Sequence, residues 1–447
     1  MPLKTPCHKP LAFGSLFSKD LVADFEGGKI TSDAGGLLLR ELDERYGVSG
    51  FVCGAVADPR DPDRVVHTQR DLVRQRLVSI ALGYEDANDA AALRGDPAVK
   101  AACGRLPDSS GDLASQPTLS RLENRVTRKD LYRLGEALFD SYVACHPKKR
   151  DVVVIDMDAT DDPTHGLQQM TLFNGYFGQY MYHPLLVFDG ITGYPMAAVL
   201  RPGNAHASWG AAALLKRIIR RIKAAWPKAR IVFRGDAGFA VPDIYKLLEQ
   251  EKVHYVIALI TNNRLKKRVA DLALQARQDF EKTGEKQRLF SSFMYRANSW
   301  NRPRRVVAKV EHHDRGDNKR FVVTNLPAMK PRRVYDEIYV LRGDAENRIK
   351  ELKLYLAADR TSCHSFTANQ FRLLVHTFAY CLLWHLREHL AHTDLAFARM
   401  DTLRLTLLKI GARVRETTRK VWFHLASSYP HKEIFATALQ SIRAAPT

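Results

Sequence analysis

A chain of 447 residues, 45% apolar and 26% charged, has the make-up of a globular protein with more than one core, and this excludes a disordered or fibrous chain. Its 68 Lys and Arg against 49 Asp and Glu leave a formal charge of +19, which favours a polyanionic partner, nucleic acid before an acidic membrane surface. No apolar run approaches the length of a membrane span, and the opening MPLKTPCHKPLAFGSLFSKD lacks the apolar centre of a signal peptide, so a cytoplasmic protein with no membrane partner is expected.

The six cysteines (Cys7, Cys53, Cys103, Cys145, Cys363, Cys381) are scattered and form no Cys-x-x-Cys. Small buried thiols are expected, rather than a zinc site or a disulfide framework.

In chain order, residues 1–30 read as irregular. From Ser32, the apolar spacing of Leu38, Leu42 and Tyr46 before Gly47 predicts a helix. Residues 67–94 continue helically, with Arg70, Arg74 and Arg76 facing either phosphate or, more simply, water. Residues 104–117 are turn-rich and read as a linker, and further helices follow. Residues 1–148 thus form a helical region for DNA binding or dimerisation.

The pattern changes at Asp151. DVVVIDMDAT, HPLLVFD (183–189) and YPMAAVLR (194–201) are strand candidates. HASWGAAALLKRIIRRIKAAW (206–226) is an amphipathic helix with a basic side. Strand 229–236, helix 241–250 and strand 253–260 complete the order β-β-β-α-β-α-β, an α/β mixed sheet in the order of a ribonuclease-H-like core over 149–261. Residues 262–334 read as a β-rich insertion. Residues 335–358 read as a core helix, and 359–447 as a helical C-terminal region for DNA binding or dimerisation.

The chemistry gathers on two stretches. Side chains alternate along a strand, so Asp156 and Asp158 share one face of DVVVIDMDAT. Asp236 ends the strand ARIVFRGD, and acids at the carboxyl ends of neighbouring strands converge. Clustered carboxylates repel unless a hard cation separates them, and Mg²⁺ keeps open positions for water and phosphate. Two such ions about 4 Å apart suit phosphodiester displacement. The third acid comes from YDEIYVLRGDAENRIKELKLYLA, where Tyr339, Arg342, Glu346 and Lys353 fall within roughly 60° of one another on an ideal helix. Glu346 is then the third ligand, Arg342 and Lys353 hold phosphates, and Tyr339 donates to another. Taken alone, the same strip could be a surface salt-bridge ladder.

These residues carry a resemblance. Y-x2-R-x3-E-x6-K resembles the signature helix of the insertion-sequence-4 superfamily of DDE transposases. DMDATDDPTHG, LRPGNAH, RGDAGF and LASQPTLSRLEN resemble its 1380 family of bacterial insertion sequences. The resemblance implies a ribonuclease-H-like core interrupted by a β-insertion and a homodimeric synaptic complex on terminal inverted repeats. It implies Mg²⁺-dependent cut-and-paste transposition, with Mn²⁺ able to substitute: hydrolysis frees a 3′-OH, and strand transfer joins it to target DNA. By the same resemblance Asp158, Asp236 and Glu346 are the catalytic and metal-binding acids, with Asp156 the alternative to Asp158. Trp300 stacks on a flipped base or packs the insertion. A bacterial, nucleoid-associated setting follows.

His165 reads as a supporting or packing residue. His376, His385, His389 and His392 do not read as a metal cluster. Three rivals remain at this level: a Mg²⁺ nuclease of the same fold, a non-catalytic DNA-binding derivative, and a haloacid-dehalogenase-like phosphatase in which Asp156 is the nucleophile and Asp158 the acid/base.

Overall fold

The computed structural model describes residues 10–327 and 329–445, so Cys7 and the opening of the N-terminal segment lie outside it. The other five cysteines form no disulfide among the described residues. No helix among the described residues is long and apolar enough to cross a membrane. The chain divides into two compact units, one of residues 1–49, 59–122 and 382–447 and one of residues 50–58 and 123–381.

In the first unit, the helix Gln69–Leu82 starts at a capping box, with Thr68 and Asp71 bonding each other's backbone N–H. Arg74 and Arg76 are buried within it. Arg74 Nε donates to Asp43 Oδ2 at 2.8 Å, and Arg76 Nη2 donates to the Glu85 carbonyl. Both the solvated and the phosphate-facing readings fail for these two arginines, because a buried guanidinium must be satisfied inside the protein. Arg70 alone is exposed.

The C-terminal region also departs from the expected all-helical reading. Strands Ala412–Glu416 and Val421–Leu425 pair with each other, and the first also pairs with Ile30–Thr31. Ala412 and Val414 point inward while Arg413 and Arg415 point out. That period of two is a strand signal which the basic residues mask.

The second unit is built on one eight-stranded sheet. Its strands, with three in a small neighbouring sheet, are β1 (Val152–Ala159), β2 (Asp162–Pro163), β3 (Leu172–Asn174), β4 (Gln179–Tyr182), β5 (Leu185–Asp189), β6 (Pro195–Val199), β7 (Arg230–Gly235), β8 (His254–Leu259), β9 (Gln287–Tyr295), β10 (Arg304–His313) and β11 (Gly316–Thr324). The large sheet runs β9-β10-β11-β8-β7-β1-β5-β6. Strands β1, β7 and β8 are parallel, and the remaining pairings are antiparallel. The seven elements read between 151 and 260 all form where expected.

Three features were not expected. Residues 162–182 fold into the small sheet β2-β4-β3. The segment after Thr261 begins with two helices, Asn263–Arg268 and Ala270–Thr283, before its strands. Those strands form no separate sheet, since β11 pairs antiparallel with β8 and extends the sheet.

The core explains the strand registers. Val153, Ile155 and Met157 bury one face of β1, and Phe233 buries the matching face of β7. Full burial of each such side chain contributes about 1.5–3 kcal/mol. The helix Ala211–Ala225 covers apolar surface with Leu215, Ile218, Ile219 and Ile222, whose three- and four-residue spacing makes one stripe. Part of its basic side is already neutralised: Arg221 pairs with Glu136, and Lys223 with Glu251.

Candidate active site

The opposite face of β1 carries Val154, Asp156 and Asp158. In the parallel register Arg234 of β7 lies opposite Asp156, and Gly235 opposite Met157. Asp236 therefore follows one residue beyond the last paired position, beside Asp158. One step of the pleat separates two different pairs of side chains: acid against arginine, then acid against acid.

Asp156 is 1% exposed. Arg234 grips it in a bidentate pair, Nε to Oδ1 at 2.6 Å and Nη2 to Oδ2 at 2.5 Å. The same guanidinium donates to the carbonyls of Ile338 and Gly190. Gly190 is required there, because a Cβ would lie 2.4 Å from Arg234 Nη2 and 2.5 Å from Asp156 Oδ2. Asp156 is thus a buried brace between β1, β7 and the turn after β5. This also removes the phosphatase reading, which needs Asp156 open as a nucleophile.

Asp158 sits differently. Its Oδ1 accepts from its neighbour's backbone N–H (Ala159) at 2.9 Å, and its Oδ2 accepts from Arg342 Nη1 at 3.0 Å. Burial, and then the negative charge of Asp236, push its carboxyl up to about 7, while Arg342 opposes the shift. Asp236 is half-buried, and its Oδ1 accepts from Gly238 N at 2.9 Å, capping the short turn Ala237–Phe239.

The signature segment is one helical run from Pro331 to Tyr355, but not a regular α-helix. Val334–Tyr339 and Glu351–Tyr355 are π-helical, Val340–Arg342 is 3₁₀, and Gly343–Lys350 is α. Such changes of winding shift the phase of the side chains. The four signature residues consequently reach different partners.

Arg342 spans Asp158 and Glu346, donating from Nη1 to the first and from Nη2 to the second. Its Nε is buried and has no hydrogen-bond partner among the described residues. Glu346 remains largely exposed. Lys353 Nζ pairs with Asp161 Oδ1 at 2.7 Å; burial raises the Asp161 carboxyl, but this pair together with hydrogen bonds from the Asp161 backbone and Thr160 holds it below its usual range. Tyr339 is half-buried with its ring 5.4 Å from that of Tyr335, and Arg342 lies 6.0 Å from its centroid. Glu351 faces the other way, accepting from Tyr380 and Arg348.

Trp300 does not reach these groups. It is 3% exposed, packed against the rings of Tyr245 and Tyr295 with the Arg304 guanidinium over it. Of its two readings the structure has the packing one, since a buried indole offers no face to a base. His165 is exposed. His376 is buried against the Leu356 carbonyl.

Arg234 and Asp161 were missed from sequence. The signal for Arg234 was present: it precedes Asp236 by two residues, as Asp156 precedes Asp158, so a period of two places the pairs together. Asp161 leaves no such signal, because its partner lies 192 residues away.

The donor set suits a hard divalent cation, since all three acids offer oxygen. Burial first, and then the charge of Asp236, hold the Asp158 carboxyl up, with Arg342 opposing them. Among the described residues, however, no three His, Cys, Asp or Glu side chains are gathered closely enough to hold a metal ion. Arg342 lies between Asp158 and Glu346 and pairs with both.

Two acids at adjacent parallel strand ends, with a charged helix whose arginine reaches the first, make up the candidate site. The family described as transposase DDE domain, group 1, matches residues 13–447, and the chain belongs to it. No curated protein matches. Among solved structures, the cryo-EM structure of the piggyBac transposase synaptic complex with hairpin DNA is similar, with TM-score 0.44, 13% identity, 85% of this chain covered and 80% of that one.

Proposed function

We propose that this DDE transposase mobilises a bacterial insertion sequence of the 1380 family, binding double-stranded DNA at terminal inverted repeats and joining the freed ends to target DNA by cut-and-paste transposition. The observation that carries the reading is the convergence of Asp158, Asp236 and the Arg342–Glu346 helix at one end of β1 and β7. A ribonuclease-H-like core is supported by the order β6-β5-β1-β7-β8, with the first three antiparallel and the last two parallel to β1. A homodimeric synaptic complex and a nucleoid-associated setting belong to the same reading.

Asp158, Asp236 and Glu346 would hold Mg²⁺, or Mn²⁺ in its place. When bound, the metal supplies Lewis-acid stabilisation of the attacking and leaving oxygens. Arg342 carries an unused N–H and a planar fork suited to phosphate, so an incoming DNA phosphate is a natural alternative partner for it. Lys353 adds a second cation along the same helix, and the Tyr339 hydroxyl a neutral donor. Asp156 and Arg234 fix the strand register that sets the two acids side by side.

The test is an excision and integration assay on a plasmid carrying the gene's native flanking DNA. Excision at terminal inverted repeats followed by integration, dependent on Mg²⁺ or Mn²⁺, supports the reading. Cutting with no joining would mean a nuclease of the same fold, and binding with neither would mean a non-catalytic derivative.

A further inference from the structure

We propose that the hairpin of β3 and β4 is a nucleobase-stacking element, receiving unpaired bases of DNA beside the candidate site. The inference rests on the transposase reading for its ligand and on the structure for its location.

The hairpin presents rings to solvent. Tyr176 at its tip is 90% exposed, Tyr180 61% and Phe173 52%. Leu167, Met170 and Leu172 are exposed beside them. Apolar surface grouped in this way generally marks a binding site. The rings are ordered in relation to one another: Phe173 and Tyr180 meet edge to face at 5.5 Å, and Tyr176 and Phe177 at 5.0 Å.

The tip is also held firmly. Asn174 Nδ2 donates to the Gly203 carbonyl at 2.7 Å, while its Oδ1 accepts from the backbone N–H of Tyr176 and of Phe177. Gly178 takes the left-handed conformation at φ +68° that closes the turn. A backbone fixed before binding loses little freedom on binding, which favours the use of the rings it carries as a contact surface.

Location and chemistry select the ligand. β4 pairs with β2 at Asp162, four residues after Asp158. Gln179 Nε2 reaches Asp161 Oδ2, the carboxylate that also holds Lys353. Residues 163–188 contain no Asp or Glu, so nothing in the hairpin repels a polyanion. Its neutral rings, flanked by Gln, Asn and Thr, suit the π-faces of bases, which stack on aromatic side chains without regard to sequence. DNA cleaved or distorted at the acids would place unpaired bases within this region. Trp300, the aromatic that sequence put forward for stacking, is buried elsewhere.

The experiment compares binding of a fluorescein-labelled oligothymidylate with binding of a fully paired duplex of the same length, using the full chain. Phe173→Ala with Tyr176→Ala is expected to weaken oligothymidylate binding by about tenfold or more, and duplex binding by less than about twofold. Tyr176→Trp should retain the preference and quench 2-aminopurine placed in the single strand. Both positions are exposed, so the melting temperature should hold.

Equal loss on both DNAs, or no loss on either, overturns the proposal. So does weakened self-association in sedimentation with oligothymidylate binding intact, which would make the hairpin a contact between copies. A wild-type chain that fails to excise or join DNA, yet shows the ring-dependent preference, supports stacking and removes the transposition reading alone.

Discussion

Arg342 Nη1 donates to Asp158 Oδ2 at 3.0 Å, joining residues 184 positions apart, while its Nη2 holds Glu346 one helical turn away. A single cation is therefore shared by two of the three proposed ligands. Arg342→Ala should have two effects. End binding should lose about 0.9 unit of slope in a plot of log affinity against log salt, the loss of one phosphate contact. Calorimetry should also show tighter Mn²⁺ binding by the DNA-free protein. An unchanged slope would mean that Arg342 meets no phosphate.

Glu346→Gln removes a charge and keeps the shape. Cleavage of end DNA should fall by roughly two to three orders of magnitude. Gel-shift affinity should stay close to wild type, because Glu346 itself does not attract phosphate. Retained cleavage would remove Glu346 from the metal site.

Asp156 and Asp158 differ in what they lose on conversion to Asn. Asp156→Asn leaves Arg234 buried beside a neutral partner and should destabilise the fold by about 3–5 kcal/mol. Asp158→Asn relieves repulsion from Asp236 and should leave stability within about 1 kcal/mol of wild type while abolishing cleavage. Denaturant midpoints and a nicking assay on the same preparations separate the two. The reverse pattern would move the first acid to Asp156.

Asp317 provides a test by pH. Arg277 grips it with Nε and Nη2, and His312 and Lys319 also reach it. The Arg277 hydrogen bond comes first among the causes that hold its carboxyl well below the usual range, against some burial. A depressed carboxylate contributes stability that is complete above its unfolded pKa of about 4 and is lost as pH falls towards the folded value. Asp317→Asn should therefore be less stable than wild type at pH 6, and the gap should close on acidification below pH 4, as read from urea midpoints. A gap that is constant with pH would show that the ion pairs add nothing.

Much of the sheet was legible because β-branched runs and period-two alternation are local signals. DVVVIDMDAT could only be a strand, and its alternation put Asp156 and Asp158 on one face. What alternation cannot tell is which of the two acids meets a cation from the next strand, since that depends on the register of β7. The Tyr339–Lys353 face was drawn on an ideal helix. The π-helical turns at Val334–Tyr339 and Glu351–Tyr355 leave no mark in the residue spacing. The three-stranded sheet of 162–182 was missed because its strands are only two to four residues long. Trp300 was ambiguous because an aromatic residue in a strand-rich segment packs as readily as it stacks.

The pairing of β11 with β8 has a consequence for engineering. Val256–Leu259 would otherwise present an open row of backbone donors and acceptors along an apolar strand, and such a row is a template for another chain. The insertion covers that row, and its own outer strand β9, most of whose residues are half-buried, carries an exposed Arg288 that pairs with Asp336. A shortened transposase lacking residues 262–330 should accumulate as aggregates rather than as a smaller enzyme. The segment that separates Glu346 from the other two acids in sequence would then also be what keeps the sheet that carries them from pairing with other chains.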